Sequence, residues 1–155
     1  MYKDVKMPKG MNPEVLEHLM NPKNYGKLED DNGIGVALDE KTKEYVIFYI
    51  LLNDEILQDV SFATNGCQDT VVIGSMFSEM IKNNDINYAK KSIEKMHAKL
   101  GEMTPQQKIC AELVFTAFIA ALKNHDNRKE GIDEELHLLK MKESCEATNM
   151  ETSHE

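Results

Sequence analysis

The sequence has no tryptophan, three cysteines and four prolines among 155 residues, and it lacks any excess of positive charge. Each shortage excludes something. With 27 acidic residues against 18 Lys and Arg, the formal net charge is −9. That balance argues against non-specific nucleic-acid binding, which needs clustered cations to displace counterions. No apolar run approaches the ~20 residues of a membrane span. No hydrophobic segment follows Met1-Tyr2-Lys3-Asp4-Val5-Lys6, so no signal peptide is read and a cytoplasmic location is expected. Three widely spaced cysteines in such a chain do not suggest a disulfide framework; in a reduced cytoplasm each thiol is structural, metal-binding or reactive. The sequence also lacks a Ser-His-Asp order, a nucleophile elbow and a glycine-rich phosphate cradle, and Gly33-Ile34-Gly35 is too short for a dinucleotide fingerprint. His18, His97, His125, His137 and His154 do not cluster at metal-ligand spacing and read as surface residues. With no general acid–base pair beside a nucleophile, the chain reads as a non-enzyme.

What is present suits one domain with a proper core. Residues 1–11 are polar and aperiodic, and read as a loose arm. Asn12-Pro13-Glu14 is a helix start, with Asn as N-cap and Pro at the first helical position. Val15, Leu16, Leu19 and Met20 form that helix's apolar face, and Asn21-Pro22 ends it. Three strands follow: 33–38, weakened by its glycines, then 45–52, the strongest, then 56–63. Asn53-Asp54 supplies the tight turn between the last two. The next helix starts near Thr70 and turns Ile73, Met76, Phe77, Met80 and Ile81 inward. A second helix covers 88–100 and is closed by Gly101. A third, 109–122, is apolar nearly all round and stands behind the capping box Thr104-Pro105-Gln106-Gln107. From Asn124 charge returns. Residues 126–155 read as a charged tail with a short amphipathic helix over 133–142, Leu136 and Leu139 on one side. The expected fold class is α+β: a three-stranded antiparallel sheet packed by helices.

The chemistry concentrates in Thr64-Asn65-Gly66-Cys67-Gln68-Asp69-Thr70. Cys67 falls at a strand-to-helix turn, where unpaired backbone N–H groups and the positive end of the helix dipole favour thiolate. Asp69 opposes this by like-charge repulsion. Free cysteine is also among the most buried residue types, so a small hydrophobe at a turn is the plain alternative. Cys110 lies just inside another helix. If both helices start at the same sheet edge, two sulfurs converge there, which suits a soft metal or an iron–sulfur centre, although a closed site wants about four ligands. From the residues alone the reading stops at a thiolate site.

Three segments carry a resemblance. His18-Leu19-Met20-Asn21-Pro22-Lys23-Asn24-Tyr25-Gly26 is similar to the N-terminal helix and Asn-Pro-Arg-Asn-x-Gly turn of the IscU/NifU-type iron–sulfur cluster assembly scaffolds. The run from Ile56 to Gly66-Cys67 is similar to that family's strand leading into its central Gly-Cys. Met103-Thr104-Pro105-Gln106-Gln107-Lys108-Ile109-Cys110 falls where the family opens its long helix with Leu-Pro-Pro-Val-Lys-x-His-Cys. The resemblance covers about residues 12–125 in order and implies the same fold, shared with SufE-type sulfur acceptors. It implies an iron–sulfur cluster of [2Fe–2S] type, or iron or zinc, held transiently or not at all. It also implies a cysteine desulfurase as sulfur donor and apo iron–sulfur proteins as acceptors.

The departures are specific. The family's first ligand segment, Cys-Gly-Asp, is replaced by Thr42-Lys43-Glu44, so the thiolate is gone and an acid, Glu44, stands at the Asp position. The His before the last Cys is Ile109. The segment that docks an Hsp70-type chaperone is reduced to Met103-Thr104-Pro105-Gln106-Gln107, so the resemblance does not carry that partnership over. Cys67, Cys110 and Glu44 remain, with Cys145 and Asp69 as additional donors. A homodimer sharing a cluster, a returning Cys145 or an exogenous thiol would complete the set. Three functions stand open: a scaffold accepting sulfur and iron on Cys67 and Cys110, a SufE-like persulfide acceptor using Cys67 alone, and a regulatory module docking through strand 45–52.

Overall fold

The computed structural model describes residues 13–141. The elements run α1 (Pro13–Met20), β1 (Gly33–Asp39), β2 (Glu44–Asn53), β3 (Ile56–Thr64), α2 (Gln68–Ile81), α3 (Ile86–Leu100), α4 (Pro105–Lys129) and β4 (His137–Met141). The arm 1–11, the cap Asn12 and Cys145 lie outside the described residues. β1, β2 and β3 form the expected antiparallel meander. Asp54 and Glu55 both take positive φ, +53° and +66°, as a two-residue hairpin turn matched to strand twist requires.

One expectation fails. Segment 133–142 contains a strand rather than a helix, and the sheet has four strands in the order β3-β2-β1-β4. β4 lies parallel to β1, pairing Gly35 with His137 and Asp39 with Met141. Leu136 and Leu139, three apart, resemble a helical stripe. The segment in fact alternates, with His137, Leu139 and Met141 partly covered while Leu138 and Lys140 face out. Unpaired N–H and C=O groups along the β1 edge supply the hydrogen bonds that decide the matter. Asn124, wholly buried near the end of α4, donates to Glu134 O at 3.1 Å and Glu134 Oε1 at 2.9 Å, which leads the chain into β4. The helix itself continues to Lys129, seven residues beyond its expected end at 122.

The glycines of β1 explain how α4 sits on the sheet. A Cβ on Gly35 would lie 2.1 Å from the Ala121 nitrogen and 2.2 Å from the Ala117 oxygen, so the helix backbone rests directly on the strand. Around this contact Phe48, Phe77 and Phe118 stack edge to face, with centroids 5.4 to 6.1 Å apart. His18 corrects a second expectation. It is buried, and its Nδ1 lies 2.6 Å from Ser75 Oγ on α2, which ties α1 to the helix that Cys67 opens. Burial lowers its pKa.

Candidate functional site

Cys67 is the N-cap residue of α2, with extended backbone (φ −81°, ψ −177°) and a side chain that makes no capping bond, leaving the sulfur free for other partners. Its loop is held from β2. Thr64 Oγ1 donates to Tyr45 O at 2.6 Å and accepts from Gly66 N at 2.9 Å. Asn65 accepts from Tyr45 N at 2.8 Å and donates to Lys43 O at 3.1 Å. The backbone on both sides of Glu44 is therefore tied to the loop that presents Cys67. Gly66 is needed for close approach: a Cβ there would meet Thr70 Oγ1 at 3.0 Å and Thr64 Oγ1 at 3.1 Å.

The capping box read at Thr104 is present, with Thr104 Oγ1 accepting from Gln107 N and Gln107 Oε1 accepting from Thr104 N. It fixes the first turn of α4, and Cys110 follows on the inward face. The two sulfurs converge: Cys67 Sγ and Cys110 Sγ are 3.7 Å apart. Cys67 is exposed and Cys110 is wholly buried. Burial pushes the Cys110 thiol up to about 11, with the Thr70 hydroxyl pulling the other way. Gln106 Nε2 lies 3.7 Å from Cys110 Sγ, and Thr70 Oγ1 lies 4.0 Å from Cys67 Sγ. Neither polar neighbour was singled out from sequence, yet each is one helical turn from its cysteine, and that spacing is the signal.

The remaining candidates are placed differently. Asp69 is in the first turn of α2. Glu44 opens β2 directly opposite Asp39 of β1, and each has one buried carboxylate oxygen without a hydrogen-bond partner. Asp39, wholly buried, is a further residue the sequence reading passed over; its place in the alternating face Gly33, Gly35, Ala37 was the available clue. Among the described residues, no three His, Cys, Asp or Glu side chains gather closely enough to hold a metal ion. The structure brings Cys67 and Cys110 together, and it does not assemble Glu44 or Asp69 with them into a three-donor group.

What the pair can do follows from its spacing. Two sulfurs each about 2.3 Å from one tetrahedral ion lie about 3.8 Å apart. The observed 3.7 Å therefore suits two ligands on one metal, and equally a thiol pair near reacting distance. Among the described residues no helix is long and apolar enough to cross a membrane.

Residues 11–131 match the model of the NifU-like N-terminal domain. The iron-sulfur cluster assembly scaffold protein IscU of Aquifex aeolicus is 33% identical over 126 residues, 79% of this chain and 80% of that protein. Its counterpart IscU 1 of Archaeoglobus fulgidus is 31% identical over 141 residues, 89% of this chain and 92% of that one. The crystal structure of FiSufU from Fervidobacterium Islandicum AW-1 superimposes with a TM-score of 0.59 at 18% identity, covering 73% of this chain and 96% of that one, a likeness of fold. The chain belongs to the family of NifU-like N-terminal domains.

Proposed function

We propose that this protein is an iron–sulfur cluster assembly scaffold that receives sulfur and iron, as cargo, at Cys67 and Cys110. The observation that carries the reading is the 3.7 Å separation of one exposed and one buried sulfur at the edge where α2 and α4 begin. Relatives at 31% and 33% identity are named as cluster assembly scaffolds, which supports the same role here. Cys67 is the acceptor reached from solvent, and Cys110 is the second thiolate. Glu44 is the proposed oxygen ligand, supported by its unpartnered buried oxygen and by the Asn65 bonds flanking it. A cysteine desulfurase is the proposed donor and apo iron–sulfur proteins the proposed acceptors, in a reduced cytoplasm where both thiols stay free. The cargo proposed is a [2Fe–2S] unit or a single iron or zinc ion, with the missing ligands supplied by a second copy, an external thiol or Cys145.

One observation favours a narrower reading. Cys67 alone of the pair is exposed, and no three-donor group is assembled among the described residues, as a persulfide carrier of SufE type requires nothing more. Anaerobic expression followed by native mass spectrometry separates the two. Bound iron with sulfide, lost in Cys110→Ser, supports the scaffold. One extra sulfur on Cys67, retained in Cys110→Ser without any metal, supports the carrier. Bare protein after exposure to both cargoes overturns both.

A further inference from the structure

Clusters contain sulfide, whereas a persulfide delivers sulfur two electrons more oxidised. Something must make up the difference. The cysteine pair holds those two electrons, and its burial pattern sets a direction for their use. Cys67 is exposed, and Cys110, whose sulfur lies 3.7 Å from it, is wholly buried. An extra sulfur on Cys67 has solvent to extend into, whereas the buried Cys110 offers none. A displacement at Cys67 Sγ needs its nucleophile and its leaving group on opposite sides, which a buried thiol 3.7 Å away and a sulfur added from solvent can satisfy.

We infer that Cys110 is a resolving thiol: once Cys67 carries a persulfide, Cys110 displaces the outer sulfur as sulfide and closes a Cys67–Cys110 disulfide. The inference rests on the sulfur-acceptor reading of Cys67 given above. In the step, the sulfur of Cys110 attacks Cys67 Sγ, and the proton it gives up ends on the departing outer sulfur of the anionic persulfide. The Sγ–Sγ bond forms as the bond from Cys67 Sγ to the outer sulfur breaks. The bonding pair leaves with the outer sulfur, which departs as hydrosulfide. That sulfur is reduced by two electrons and the two cysteines are oxidised to a disulfide, so the step consumes no outside reductant. A dithiol reductant then restores both thiols for the next turnover.

The starting separation, 3.7 Å, is close to the ~3–3.5 Å of a near-attack arrangement. Disulfide formation asks the sulfurs to close to about 2.05 Å. Cys67 can supply much of that movement, because its side chain makes no capping bond at the start of α2. Thr70 and Gln106, the two polar groups placed at the sulfurs, are hydrogen-bonding partners for a sulfur that gains or sheds charge during the exchange.

The test loads the full chain anaerobically with inorganic polysulfide, removes excess reagent, and follows free sulfide and intact mass with no reductant added. The expected result is one equivalent of sulfide per wild-type chain, released at a rate independent of protein concentration. The product should have lost two hydrogens, and peptide mapping should link Cys67 to Cys110 within one chain. Cys110→Ser and Cys110→Ala should keep the extra sulfur and release sulfide at least about tenfold more slowly. Wild type that holds its extra sulfur as long as these variants do overturns the inference while leaving the acceptor reading intact. Sulfide release accompanied only by linkage between chains also overturns it. Failure of Cys67 to take up sulfur in any form is a distinct result that removes the acceptor reading and the inference with it. A measurement on wild type alone guards against a misfolded variant: equilibration with oxidised glutathione should form the intramolecular Cys67–Cys110 disulfide. Persistence of both Cys67 and Cys110 as alkylatable thiols under that treatment, identified by peptide mapping, refutes the pairing.

Discussion

Gly35→Ala tests whether the helix carrying Cys110 is seated as described. The new methyl group would sit 2.1 Å from the Ala121 nitrogen, 2.2 Å from the Ala117 oxygen and 2.6 Å from the Ala120 carbonyl carbon. Ordinary contact needs at least ~3.4 Å, so α4 must retreat by roughly 1 Å. The obstructing atoms are helix backbone, and no rotamer change relieves them. Overpacking of this kind costs about 1–3 kcal/mol, and rigid backbone places it at the upper end. The reduced freedom of the unfolded chain returns about 0.4–1 kcal/mol. A net loss of about 2 kcal/mol remains, which for a domain of this size lowers Tm by about 4–8 °C. Cys110 lies seven residues from Ala117 along the same helix, about 10 Å, so the displacement should also reach the sulfur pair. Two assays read the result: thermal unfolding by circular dichroism, and stoichiometric capture of a trivalent arsenical that bridges two thiols. Wild type should bind one arsenical per chain, and Gly35→Ala should bind it more weakly. A variant that melts within about 1 °C of wild type and keeps full capture would refute the seating of α4 on β1.

Asn65→Ala removes its two hydrogen bonds to the backbone of Lys43 and Tyr45, at about 1–2 kcal/mol for the pair, and leaves the Thr64 bond to Tyr45 in place. A urea titration should show the loss, and alkylation of Cys67 should become faster as its loop loosens. Glu134 is held down to about 2 by hydrogen bonds from Asn127, then Asn124 and then His137. Its depressed pKa means that its contribution is present above the unfolded value near 4.5 and is lost as pH falls toward 2. Protection factors of β4 amides, corrected for the intrinsic exchange rate at each pH, should fall across that window in wild type, while Glu134→Gln should show lower protection already at neutral pH and respond less to acid.

The sequence was most informative where local chemistry and tertiary placement agree. Thr104-Pro105-Gln106-Gln107 announced the start of α4, and Gly66-Cys67 announced the start of α2, because caps and turns are settled within a few residues. Once both helix starts were known, the meeting of Cys67 and Cys110 needed only their arrival at one sheet edge. β4 was illegible for the opposite reason. Its five residues have no strong strand preference, and they become a strand through the open edge of β1, fixed from far away by Asn124. The glycines of β1 read as weakness in isolation, and their use appears only when α4 lies against them. His18 shows the same limit: Ser75, 57 positions later, turns an apparently exposed histidine into a buried one.

The asymmetry of the two thiols constrains the order of events at the site. A donor protein approaching from solvent meets Cys67, since Cys110 presents no surface. Sulfur therefore arrives on Cys67 first under any reading in which it arrives at all. Burial raises the Cys110 pKa to about 11 and keeps it a thiol until a metal ion binds between the sulfurs or it gives up its proton in attacking a persulfide on Cys67. These two outcomes compete for the same sulfur. With iron bound across the pair, Cys110 is a ligand and cannot attack; with the pair empty of metal, it is free to expel sulfide. Iron loading should accordingly slow sulfide release from persulfidated protein in proportion to occupancy, so that sulfide release with no metal bound and metal retention become alternative fates of one buried thiol.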